Sequence, residues 1–107
     1  MFRVISKKLA VKSGSGSGSN FTEYVHKLTE CSKTQPGFVS SQNFWCCDDE
    51  YLYVMTDWKS KRDWDNWKIS TTRKDIHETY TQYVESENFD FFRRYDKHMC
   101  GPNIFLL

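Results

Sequence analysis

Four residues between positions 67 and 77 could act as one chemical unit. On a continuous helix, Trp67, Ser70, Lys74 and His77 fall at i, i+3, i+7 and i+10 and form a single stripe. A second stripe, Ile69, Ile76, Tyr80 and Tyr83, has the apolar character of a core face. The two stripes are offset by one residue, roughly 100° around the axis. The first is therefore expected at the flank of the helix, where a groove opens against a neighbouring layer. An indole, a hydroxyl, an ammonium and an imidazole along one groove suit a flat ligand carrying carboxylates. A neutral imidazole binds iron, an ammonium pairs with a carboxylate, and an indole packs on a planar ring. The plainer reading is a solvated histidine at a helix flank, with Trp67 in the core.

The elements that must position these groups are legible along the chain. Residues 1–11 mix β-branched and apolar side chains (Phe2, Val4, Ile5, Leu9, Val11) and predict a strand. Residues 13–19 alternate Ser and Gly and predict a flexible loop. Asn20 with Glu23 gives a capping-box-like start to a helix whose stripe is Phe21, Tyr24, Val25, Leu28 and Cys31, ending by Lys33. After the Gln35-Pro36-Gly37 turn, residues 38–47 predict a strand. Asp48-Asp49-Glu50 then makes a hairpin turn, and residues 51–58 form the strongest strand. Ser60 with Asp63 opens a second helical region carrying Trp64 and Trp67, with a break or restart near residues 70–72 and an end near Tyr83. A final strand is expected over residues 89–99, and Gly101-Pro102 leaves an apolar tail, residues 101–107. The order β-α-β-β-α-β predicts an α+β, ferredoxin-like single domain over residues 1–107: two helices on one face of a four-stranded antiparallel sheet.

Composition narrows the functions. The 107 residues carry 15 basic and 14 acidic side chains, a net charge of +1, which gives no electrostatic footprint for nucleic acid or for an anionic membrane. No apolar run approaches the ~20 residues of a membrane span. Residues 1–9 lack the apolar core of a secretory signal, so the four cysteines (Cys31, Cys46, Cys47, Cys100) are expected as reduced thiols in a cytoplasmic compartment. No zinc spacing, phosphate-cradling glycine loop or Ser/His/Asp set is present in the sequence. The strands carry apolar residues at both parities. A sheet with helices on one side alone must then cover its other face, and a homodimer is the expected solution.

The Pro36-Gly37-Phe38 turn, the strand ending in Trp58-Lys59-Ser60-Lys61 and the Trp67…Ser70…His77 spacing resemble the antibiotic biosynthesis monooxygenase superfamily, whose members are dimeric α+β barrels of about this length. Trp67 with a histidine ten residues later is similar to the non-canonical haem oxygenases of the iron-regulated surface determinant type. The resemblance implies that His77 ligates haem iron, that Trp67 ruffles the macrocycle, and that Ser70 and Lys74 flank it. Haem would be both substrate and cofactor, with an external electron donor or reductase. That branch also uses an asparagine on the first strand. Its position falls on Lys7, or on Ser6 if the alignment slips by one. Lys7 shares a face with Ile5, Leu9 and Val11, and is expected to point into the pocket. The chain is therefore read as a haem-degrading monooxygenase. The alternatives are a haem or tetrapyrrole binder that does not degrade its ligand, and a cofactor-independent monooxygenase of a quinol or polyketide.

Overall fold

A computed structural model describes residues 1–11, 17–46 and 51–93. Strand β1 (Phe2–Ala10) is followed by helix α1 (Ser17–Ser32), strands β2 (Phe38–Trp45) and β3 (Tyr51–Trp58), helices α2 (Lys61–Lys68) and α3 (Thr71–Tyr80), a short 3-10 turn (Thr81–Tyr83) and strand β4 (Val84–Arg93). The sheet order is β2-β3-β1-β4 with every pairing antiparallel, so the ferredoxin-like α+β expectation holds. Among the described residues, no helix is long and apolar enough to cross a membrane.

Strand β1 sits between β3 and β4, and its alternation divides the molecule. Phe2, Val4, Ser6 and Lys8 are buried under the helices, while Arg3, Ile5, Lys7 and Leu9 are half-buried on the other face. Register carries this division across the sheet. Val4 lies opposite Thr56 and Phe91, Ser6 opposite Val54 and Phe89, and Lys8 opposite Leu52 and Glu87. The covered face meets the α1 stripe (Phe21, Tyr24, Val25, Leu28) and the α2 tryptophans Trp64 and Trp67. Burying each such side chain contributes roughly 1.5–3 kcal/mol. Aromatic edges order this layer: Trp58 packs against Phe38 at 5.6 Å and Trp64 at 6.0 Å, and Trp64 against Phe89 at 5.5 Å.

Two local devices fix where α2 begins. Pro36-Gly37 closes a turn in which the Phe38 N–H donates to the Gln35 carbonyl at 3.2 Å, and Gly37 holds φ of +81°. A Cβ at Gly37 would collide with the Asp63 side chain. Ser60 then caps α2, its Oγ accepting from the Asp63 N–H at 3.2 Å and donating to Asp63 Oδ2 at 2.9 Å.

Several boundaries differ from the sequence expectation. Helix α1 starts at Ser17, not Asn20, so the end of the expected Ser13–Ser19 loop is helical; Ser and Gly are ordinary residues at a helix start. The helical region after Ser60 is two helices. Ile69 ends α2 and Ser70 caps α3, its Oγ accepting the Arg73 N–H at 3.2 Å. Ile69 is consequently turned outward and is 65% exposed instead of joining the core. Strand β4 begins at Val84, five residues before the expected start at Phe89. Strand β2 ends at Trp45. The hairpin turn at Asp48-Asp49-Glu50, the strand end beyond Arg93 and the tail 101–107 lie outside the described residues.

Candidate active site

The groups with the most unusual environment are charges under the helices. Lys8, Arg73 and Glu87 have side chains only 3%, 7% and 9% exposed. Lys8 Nζ donates to Ser6 Oγ at 2.8 Å and forms a very short ion pair with Glu87 Oε2. Arg73 Nη2 donates to Glu87 Oε1 at 3.0 Å, and the Tyr24 hydroxyl donates to Glu87 Oε2 at 2.8 Å. Strand β1 supplies the lysine, β4 the carboxylate, α3 the arginine and α1 the phenol, so the cluster ties four elements together.

Their titration follows from this geometry. Burial pushes the Glu87 carboxyl up, but the Lys8 ammonium, Arg73 and the Tyr24 hydroxyl outweigh it and hold the group at about 2. Burial pulls Lys8 down to about 8, assisted by Arg73 and Lys68 and opposed by Glu87. Burial and the Glu87 charge raise Tyr24 far above the ordinary phenol range, so it stays protonated. That proton inventory assigns the histidine. Tyr24 spends its one proton on Glu87, so the 3.2 Å contact from His77 Nδ1 to the Tyr24 oxygen is a donation by the imidazole. In neutral His77 the lone pair then lies on Nε2.

A cavity opens beside the cluster. Ser6 and Lys8 form part of its floor together with Thr56; Trp64, Trp67 and Phe89 form an aromatic wall, and Arg73 closes one side. The space in and around its mouth is about 400 Å³, open solvent included. The cavity volume itself is about 40 Å³, room for about three waters. An ammonium makes three donations, and Lys8 places two of them on Ser6 and Glu87. The third N–H meets no protein oxygen among the described residues.

The sequence-based site residues are only partly gathered here. Trp67 lines the cavity. His77 and Lys74 line a different, outward hollow with Lys68, Arg73, Glu78 and Glu87. Ser70 is the α3 cap and belongs to neither. The expected single stripe is thus broken where one helix gives way to the next. Lys7 is a correction: it lies on the opposite face of the sheet, its Nζ 4.0 Å above the Tyr51 ring, while Ser6 and Lys8 face the cavity. The competing parity, Ile5, Leu9 and Val11, is the more apolar in sequence, but Ile5 and Leu9 lie on the face away from the helices and Val11 lies beyond the end of β1. Glu87, Arg73, Tyr24 and Lys8 went unrecognised in sequence. Only the Phe2/Val4 parity of β1 carried a signal for Lys8.

In this arrangement the residues do not fit a haem. Trp67 and His77 face different hollows with the Arg73–Glu87 ion pair between them. The hollow at His77 is walled by charges, and the aromatic cavity is far too small for a macrocycle. Among the described residues no cluster of His, Cys, Asp and Glu could hold a metal ion.

No family model and no curated protein matches the chain. Solved structures do. A conserved protein from Methanosarcina mazei superposes with a TM-score of 0.74 at 17% identity over 88% of this chain and 92% of that one. An antibiotic biosynthesis monooxygenase gives 0.74 at 10% identity over 90% and 100%. SnoaB, a cofactor-independent oxygenase from Streptomyces nogalater, gives 0.66 at 11% identity over 90% and 94%. At such identities the likeness is one of fold: the chain has the ferredoxin-like α+β architecture found in structures of antibiotic biosynthesis monooxygenases.

Proposed function

We propose that the chain is a monooxygenase that oxidises a small phenolic or quinol-type aromatic without a prosthetic group, and that it works as a homodimer. The observation that carries this reading is the buried Lys8 amine at the floor of a tryptophan-walled cavity. Trp64, Trp67 and Phe89 hold the ring by stacking and edge contacts. Lys8, with its pKa at about 8, lies near the range of a phenol, where proton transfer is most effective. As a neutral amine it accepts the phenol proton; as an ammonium it stabilises the phenolate. The electron-rich phenolate then reduces dioxygen itself. In a phenol with a free para position, the ring carbon para to the oxygen loses its hydrogen and becomes a carbonyl by taking one oxygen atom. The second oxygen leaves as water with that hydrogen and the phenol proton, so the substrate is the reductant.

The homodimer reading is supported by the open face of the sheet. Phe44 and Phe92 are half exposed there beside half-buried Ile5, Tyr53 and Met55.

Oxygen uptake with α-naphthol tests the activity. Turnover is expected in the wild type, and Lys8→Met should lower it by at least about a hundredfold, the scale of general acid–base contributions. Unchanged uptake in Lys8→Met would remove the lysine from the mechanism. A hemin titration tests the rival. A saturable Soret band that disappears in His77→Ala would overturn the prosthetic-group-free reading and restore His77 as an iron ligand.

A further inference from the structure

The charges around Phe89 do not balance. Lys68 Nζ lies 5.1 Å, Arg73 Cζ 5.5 Å and Lys8 Nζ 5.6 Å from the centre of that one ring. A single carboxylate faces them: Glu87 takes Lys8 through one oxygen and Arg73 through the other. Lys68 makes no ion pair among the described residues. Tyr24 adds a neutral hydroxyl to Glu87, and His77 reaches the cluster through Tyr24. Lys74 and Glu78 offset each other in sign at the rim of the outer hollow. Lys8 and Arg73 are buried and Lys68 is half-buried, so at least one buried positive charge exceeds the single carboxylate, which is costly in a low-dielectric site. The third Lys8 N–H and the remaining guanidinium donors of Arg73 have no carboxylate to meet.

Resting on the reading of the cavity as a substrate site, we propose that its substrate is an aromatic carboxylic acid, whose carboxylate completes the ion cluster of Lys8, Lys68 and Arg73. The geometry supports a specific pose. Arg73 lines both the aromatic cavity and the outer hollow. A ligand with its rings against Trp64 and Trp67 can therefore set its carboxylate on the guanidinium, whose planar donors match carboxylate oxygens. Lys68, at the end of α2, lines the outer hollow beside Arg73. The ligand would supply the negative charge that the chain withholds. Specificity would follow from the cost of leaving the cluster unpaired when a neutral aromatic binds.

Quenching of tryptophan fluorescence by a hydroxynaphthoate and by α-naphthol measures this without requiring turnover. At pH 7 the acid should bind at least about tenfold more tightly than the naphthol, a difference of about 1.4 kcal/mol. Lys68→Met, on a half-buried residue, should erase most of that preference while leaving naphthol affinity within about twofold. Affinity for the acid should also fall as pH rises through about 8, where free Lys8 loses its proton amid Ser6, Glu87, Arg73, Lys68 and Tyr24. Equal affinity for acid and naphthol, or equal loss of both in Lys68→Met, would overturn the proposal. Tight acid binding without oxygen uptake would instead sink the oxygenase reading and leave this one standing. Naphthol turnover with no preference for the acid would do the reverse.

Discussion

Lys7 and Lys8 are adjacent and chemically identical, yet they occupy opposite worlds. Lys7 rests on the Tyr51 ring on the open face, half in water. Lys8 lies under the helices, bound to Ser6 and Glu87. The difference is a single step of strand alternation, and it shows that residue type says little until parity is known. Lys7 needs no carboxylate where it stands, as its half-solvated ring contact shows, whereas Lys8 on the covered face must be matched by another element, here β4.

The largest effect should come from breaking that match. Glu87→Gln leaves Lys8 and Arg73 facing no carboxylate, and urea unfolding should show a loss of about 3–5 kcal/mol. Acid offers the same break without mutation. Glu87 is held at about 2 against an ordinary value near 4.5, so its contribution is complete above about 4.5 and disappears as pH falls through about 2. The wild type should lose on the order of 3 kcal/mol over that window, and Glu87→Gln should lack this component. Parallel acid profiles would show that the network is not what the wild type loses.

A smaller and different effect is expected on the open face. Phe92→Asp places a charge at a half-exposed aromatic and should convert a dimer to a monomer in light scattering while costing the fold little. A wild type that runs as a monomer would end the homodimer reading. The smallest effect belongs to Lys7→Met. Its cation–ring contact is half solvated, so stability should change by less than about 1 kcal/mol and oxygen uptake should hold. A hundredfold loss of activity in this variant would return Lys7 to the site.

Much of the architecture could be read from the chain because local physics dictates it. The run from Tyr51 to Trp58 is a strand by composition, Ser60 and Asp63 announce a cap, and Phe21, Tyr24, Val25 and Leu28 recur at helical spacing. The candidate site was less legible for two reasons. Strand β1 offered two apolar parities, and Ile5, Leu9 and Val11 outweighed Phe2 and Val4 in number although the helices cover the latter. Glu87 and Lys8 are 79 positions apart in sequence; their pairing is a product of register between β1 and β4, which no short motif encodes. The Ser70 cap was likewise visible as a restart, but its consequence, sending Trp67 and His77 to different hollows, depends on how α2 and α3 turn against the sheet.

Gly37 carries a consequence of another kind. Its backbone is left-handed and its missing side chain is the space that Asp63 occupies. Any larger residue must displace the first turn of α2, and the same rigid turn carries Trp64 and leads to Trp67. The position is therefore a mechanical stop: it sets the insertion depth of the helix whose tryptophans wall the cavity. Substitutions there would act at a distance, as a change of aperture, with none of the chemistry touched.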